Sequence, residues 1–338
     1  SSTSRGLGDV YKRQVYNVSV SYVAVKIFPC IVEKKIEPLP QNEKKALFKD
    51  IKDLSYYKIS GLLVNSTDNI LITFFQGLAV TGITSNYTLF INTINSLLGQ
   101  IFNSLTASIG NHNVTESEDK KYEMFQFMNF MNFWIFGWAA LGITFCSSDL
   151  VSLCFGETYV LPFKIPLILA INFYTVGMMN AIWTYKHTLG LFRYGRFLQI
   201  VTGILNIILS VILGKKMGLF GVLFATFIAR AFTNLWYDPY AVFKHGFCKS
   251  PIAYLKRYAY FTLVLLLAAS GCWVSLKVIS ASGVIRVLLE IIICSLIINI
   301  VFFFAFHRAA EFKMLENVLA SIRDILRKKS KNYLGRRS

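Results

Sequence analysis

Apolar residues in this chain do not alternate with polar ones. They collect in long blocks at 62–82, 87–108, 124–146, 160–183, 197–213, 218–236, 258–276 and 284–306, separated by short polar or basic stretches. The blocks run from 17 to 24 residues. At a rise of about 1.5 Å per residue, helices of that length cross a hydrocarbon core of about 30 Å. The pattern predicts an all-α fold, a polytopic membrane helical bundle of eight spans.

Several blocks carry polar residues at helical repeat, so those helices have one face that prefers water, a polar ligand or another helix. In the first, Asn65, Asn69, Thr73 and Gln76 share a face bordered by Asp68; in the second, Asn92, Ser96, Gly99 and Asn103 line up beside Gln100. The fourth offers Asn172 and Asn180 two turns apart, and the fifth Gln199, Thr202, Asn206 and Ser210. Small and amide residues also mark plain helix contacts in membranes. Four stripes in one bundle point further, to a shared hydrated cavity, and amides and hydroxyls suit a carbohydrate because they both donate and accept hydrogen bonds.

Among the charges inside blocks, two stand out. Asp68 and Arg230 each lie six or so residues from the expected inner end of their span, about 9 Å in from the boundary. A charge at that depth is costly alone, and pairing Asp68 with Arg230 lowers the cost of both. The competing reading makes Asp68, preceded by Ser66 and Thr67, a cap at the start of its helix.

Composition agrees with a membrane location: 54% of the residues are apolar and the mean hydropathy is +0.51. The formal net charge of +17 raises the question of nucleic acid, but its distribution answers with topology. With 33–58 on the cytoplasmic side, the inner connections hold sixteen Lys and Arg, Lys186 among them, against Lys215, Lys216 and Lys277 outside. That is the positive-inside signature, with both ends of the eight-span chain inside and no nucleic-acid partner implied. The cysteines lack CxxC spacing and the histidines are scattered, so no metal site or cofactor is indicated. Cys146 and Cys154 flank an expected outer loop at 147–159 and are close enough in sequence to pair.

The stretch 1–14, "SSTSRGLGDVYKRQ", has no apolar core and resembles a translated sequencing adaptor, a non-native leader. Residues 15–32 then read as the remnant of a preceding membrane helix, and 33–58 as a basic cytoplasmic linker with amphipathic spacing through Leu47, Ile51 and Leu54. Six spans follow in 59–236, two more in 237–306, and a basic cytoplasmic tail in 307–338.

Seven blocks in series carry a family resemblance: "STDNILITFFQGLAVTGITSNY", "SLTASIGN", "FMNFMNFWIFG", "LAINFYTVGM", "GLFRYGRF", "ILNIILSVIL" and "LWYDPYAVFKHGF". In order and spacing they resemble the Gram-positive branch of the polysaccharide transport family, the oligosaccharide flippases of the multidrug, oligosaccharidyl-lipid and polysaccharide (MOP) exporter superfamily. The resemblance implies two six-helix lobes, of which 59–236 is the second, with 237–306 as an extra helix pair and the first lobe almost wholly missing. Half of such a carrier is not expected to transport alone.

The resemblance further implies a flippase that moves an undecaprenyl-pyrophosphate-linked oligosaccharide across the bacterial cytoplasmic membrane by alternating access, for capsule or exopolysaccharide synthesis. Its partners are then the lipid-linked oligosaccharide, the membrane, and the polysaccharide polymerase and glycosyltransferases of the pathway. Within this lobe Arg230 is the candidate for the pyrophosphate, and Asn92, Asn103, Asn172, Asn206 and Gln199 for the sugar. Asp68, with Asn65 and Asn69, is the candidate for ion coupling. Other exporters of the superfamily, for lipid II or drugs, share the expected fold. A membrane ligase or polymerase acting on similar lipids needs a convergent catalytic set at the outer face. The short outer loops contain none, so the chain is not expected to be an enzyme.

Overall fold

The computed structural model describes residues 40–115, 117–195 and 197–320 together with 19, 22 and 323; side chains within 52–67 and 103–115 fall outside that description. The chain divides into two units, Ser1–Lys49 and Asp50–Ser338. In the first, the described residues 41–49 are helical. Everything below concerns the second.

Its helices are α1 (Gln41–Thr115, beginning in the first unit), α2 (Glu118–Phe155), α3 (Lys164–Thr188), α4 (Leu198–Met217), α5 (Leu219–Phe232), α6 (Asn234–Val242), α7 (Ile252–Leu276) and α8 (Gly283–Phe306). No strand occurs among the described residues. Six segments there are long and apolar enough to cross a membrane: α2, α3, α4, the combined 219–247 stretch, α7 and α8. The two remaining expected spans, 62–82 and 87–108, both fall on α1.

The reversal between those two was expected at 83–86, yet 83–86 is helical. The chain bends instead at Gly77, whose φ of 85° and ψ of 167° interrupt the helix. Only glycine adopts such a backbone without strain. The bend is sharp enough to bring Thr73 Oγ1 within 2.9 Å of Thr81 Oγ1, eight residues on, where a straight helix would separate them by about 12 Å.

The expected outer loop at 147–159 is mostly helix. Glu118 and Asp119 favour the start of α2, which continues to Phe155 and stops only at Gly156, at φ 106°. The proposed Cys146–Cys154 link is likewise absent: both are free thiols, Cys146 buried and Cys154 exposed. They sit eight residues apart on one helix, a separation of about 12 Å that no disulfide spans.

Packing follows the aromatic content. α2 lies against α3, α7 and α8, while α4 and α5 form a close antiparallel pair and α3 contacts α5 and α6. Phe133 of α2 stacks on Phe261 of α7 at 4.4 Å and meets Phe302 of α8 at 4.6 Å. Two indoles on α2 reach α8, Trp134 Nε1 to Asn299 Oδ1 and Trp138 Nε1 to Ser295 Oγ, both at 3.0 Å. The α4–α5 pair requires Gly221, where an added Cβ would strike the Leu213 carbonyl oxygen.

One face of α8 buries Val287, Cys294, Ile298 and Phe302, while Leu288, Ile292, Leu296, Ile300 and Phe304 stand exposed on the other, Phe304 to 70%. A helix apolar on all sides is stable within a core or within lipid. Together with the six segments, this surface fits a multi-pass membrane protein.

Candidate functional site

Helices α1, α3, α4, α5 and α6 enclose a cavity of about 650 Å³. Of the residues singled out from the sequence, Asp68, Asn69, Asn92, Asn172, Gln199, Thr202 and Arg230 line it. Asn206 does not. Its side chain is fully buried, as are those of Thr202 and Ser210 on the same stripe, and it serves the α4–α5 contact. The stripe on α4 is therefore divided between cavity and packing. Asn180 is not among the lining residues. The side chains of Asn65 and Asn103 lie outside the described residues.

Asp68 is no helix cap, because α1 begins at Gln41. Its carboxylate is met by Thr226 of α5, whose Oγ1 lies 3.0 and 2.9 Å from Oδ1 and Oδ2. Thr226 in turn accepts from Asn206 Nδ2 at 2.8 Å. Three helices thus meet through one hydroxyl. Arg230 lines the same cavity and acts on the Asp68 carboxylate as a nearby positive charge, and Thr226, which the sequence reading did not single out, adds hydrogen bonds to it. Buried Asn206 Oδ1 and Ser210 Oγ have no protein partner, so polar capacity remains beside this group.

A second polar group closes another part of the wall. Asp238 of α6 is fully buried. Its Oδ1 accepts from Lys186 Nζ at 2.6 Å, and its Oδ2 accepts from Trp183 Nε1 at 3.1 Å and Asn234 Nδ2 at 3.2 Å. Lys186, counted from the sequence as an inner-surface charge, is instead a buried partner, 4% exposed. Thr202 Oγ1 lies 2.7 Å from both Thr233 Oγ1 and Asn234 Oδ1. Thr233 marks the break between α5 and α6, with φ −123° and ψ −88°, and it donates to the Ala229 carbonyl at 2.6 Å. The break places Asn234 at the start of a new helix, where Thr202 of α4 reaches it and Asp238 links it to Trp183 and Lys186 of α3.

Sequence reading missed Thr84, Thr88 and Asn95 on α1, Trp183 on α3, Thr226 on α5 and Asn234 on α6, all of which line the cavity. The spacing of Thr84, Thr88, Asn92 and Asn95 is itself a helical stripe, rotated slightly from the one through Asn92 and Asn103. Trp183 and Thr226 carry no such signal, since a single indole or hydroxyl in an apolar run reads as packing.

Among the described residues, the wall therefore combines carboxamides, hydroxyls, an indole, a carboxylate and a guanidinium with apolar patches at Ile72, Ile91, Leu169 and Leu223. Such a surface has the donors and acceptors to hydrogen-bond a hydroxylated molecule and carries charges of both signs. Among the described residues, no group of three or more His, Cys, Asp or Glu is arranged to hold a metal ion. No family model matches the chain, and neither a curated protein nor a solved structure matches it.

Proposed function

We propose that the chain is part of a flippase of the polysaccharide transport family, carrying an undecaprenyl-pyrophosphate-linked oligosaccharide across the bacterial cytoplasmic membrane. The observation that supports this reading best is the cavity: amides from α1 and α3 converge with Gln199 of α4 and Arg230 of α5 on one space within the bundle. Amides at membrane depth are costly unless they meet partners, and a sugar supplies partners. Arg230 faces the same space and suits the pyrophosphate by charge-assisted hydrogen bonds.

In this reading the chain is a carrier and not an enzyme, working by alternating access beside the polymerase and glycosyltransferases that use its cargo. Asp68 is its ion-coupling residue. It takes up a proton or Na⁺ where Thr226 and Asn206 already converge.

Photocross-linking tests the reading. A benzophenone amino acid at Asn92, irradiated in native membranes, is expected to capture a polyprenyl pyrophosphate glycan that mass spectrometry identifies after digestion. Capture of the peptidoglycan precursor alone would reassign the chain to the lipid II exporters of the same superfamily. Capture of phospholipid alone would remove the oligosaccharide reading.

A further inference from the structure

Asp238 does not line the cavity, yet it holds two residues that do. Trp183 and Asn234 both border the space, and both donate to Asp238 Oδ2, at 3.1 and 3.2 Å. They come from different helices, α3 and α6. Lys186, one turn beyond Trp183 on α3, occupies the other carboxylate oxygen at 2.6 Å and balances its charge. This carboxylate fixes a piece of wall assembled from two elements.

Trp183 has one polar atom, Nε1, and Asp238 uses it. What remains of the indole toward the cavity is carbon. Asn234 gives one N–H to Asp238 and presents Oδ1 to Thr202, so its second N–H is available to an occupant. An aromatic surface beside an amide donor matches the two sides of a pyranose ring, a C–H face and a hydroxyl rim. The Lys186–Asp238 pair is neutral as a unit and buried, so this part of the wall offers no net charge to a phosphate. Arg230, four residues before Asn234, lines the same cavity.

We propose that Trp183 and Asn234 form a subsite for the sugar ring adjoining the pyrophosphate, and that Asp238, balanced by Lys186, is its positioning residue. The inference rests on the oligosaccharide reading above and extends it by naming which ring is held and by what.

The test compares two probes on the full chain in nanodiscs: undecaprenyl pyrophosphate, and the same lipid carrying one N-acetylglucosamine. The unaltered chain is expected to bind the glycosylated lipid about tenfold more tightly, the size of one good stacking contact. Trp183→Ala should bring that ratio to about one without changing affinity for the bare lipid, and Trp183→Phe should keep most of it. The double variant Lys186→Met/Asp238→Asn, which strands no buried ion, should also lose the ratio, and ¹⁹F NMR of fluorotryptophan at 183 should show the indole released.

An unchanged ratio in Trp183→Ala would overturn the subsite. An unchanged ratio in the double variant, with the resonance moved, would overturn the role of Asp238; if that variant does not fold, the Trp183 pair still decides the subsite. Equal binding of both lipids by the unaltered chain would remove the subsite and leave the lipid-pyrophosphate reading standing. Binding of neither would remove both.

Discussion

Thr226 joins Asp68 to Asn206: its hydroxyl lies 2.9 Å from Asp68 Oδ2 and accepts from the Asn206 amide at 2.8 Å. Removing that oxygen takes the acceptor from the buried Asn206 amide and a hydrogen bond from the Asp68 carboxylate at once. Thr226→Val is expected to destabilise the chain by about 1 to 3 kcal/mol, the cost of unsatisfied buried polar groups. Thr226→Ser keeps the hydroxyl and should stay within about 0.5 kcal/mol of the original. Denaturant unfolding in mild detergent measures both, and a loss in Thr226→Ser with none in Thr226→Val would show that the methyl group, not the hydroxyl, matters.

The Lys186–Asp238 pair gives a sharper contrast. Asp238→Asn alone leaves the Lys186 ammonium buried without its counter-charge and should cost about 3 to 5 kcal/mol. Lys186→Met in the same chain removes that stranded ion, so the double variant should recover much of the loss. A double-mutant cycle reads the coupling directly, and additive losses would mean that the two groups do not act as a pair.

Two glycines in helices separate close approach from empty space. Gly221→Ala drives a methyl into the Leu213 carbonyl oxygen and should destabilise by about 1 to 3 kcal/mol, the usual cost of overpacking. Gly142 of α2 has nothing within 4 Å of an added Cβ, and Gly142→Ala should gain about 0.5 to 1 kcal/mol from helix propensity. Thermal unfolding of both variants checks the order.

Topology can be read from native thiols. Cys154 ends α2 and Cys248 follows the 219–247 segment, so successive crossings put them at opposite ends of the bundle, and both are exposed. A membrane-impermeant maleimide applied to intact cells should label Cys154 and, in a Lys216→Cys variant, the new thiol; Cys248 and Lys45→Cys should react only after permeabilisation. The reverse pattern would invert the orientation inferred from the charge bias.

Much of the fold was legible because apolar runs of membrane length leave helices as the only way to satisfy the backbone. Boundaries were less so. Nothing local distinguishes Gly77, where the chain bends, from Gly82, where it continues as helix; the difference lies in Thr73, Thr81 and the helices around them. Lys186 shows the same limit for charge. It follows an apolar run and reads as the first cation of a loop, while its partner Asp238 lies 52 residues away. Periodicity identified a polar face on α4 at Gln199 and Asn206, but a face does not say what it meets: Gln199 meets the cavity and Asn206 meets Thr226. Amide stripes register in a sequence because they repeat, whereas Trp183 and Thr226 act singly.

The cavity also has a hydration consequence. At about 30 Å³ per molecule in the liquid, a volume of about 650 Å³ holds roughly twenty waters. Water beside Asn92 and Asn95 would have amide partners, while water over Ile72, Ile91 and Leu223 would touch carbon and gain little by staying. An entering molecule displaces both kinds. One that is uniformly charged leaves the carbon patches in poor contact, and one that is uniformly apolar leaves the amides dry. In the carrier reading proposed above, hydroxyls around a C–H core would replace the bonded waters and release the others, so a mosaic wall would favour a mosaic occupant.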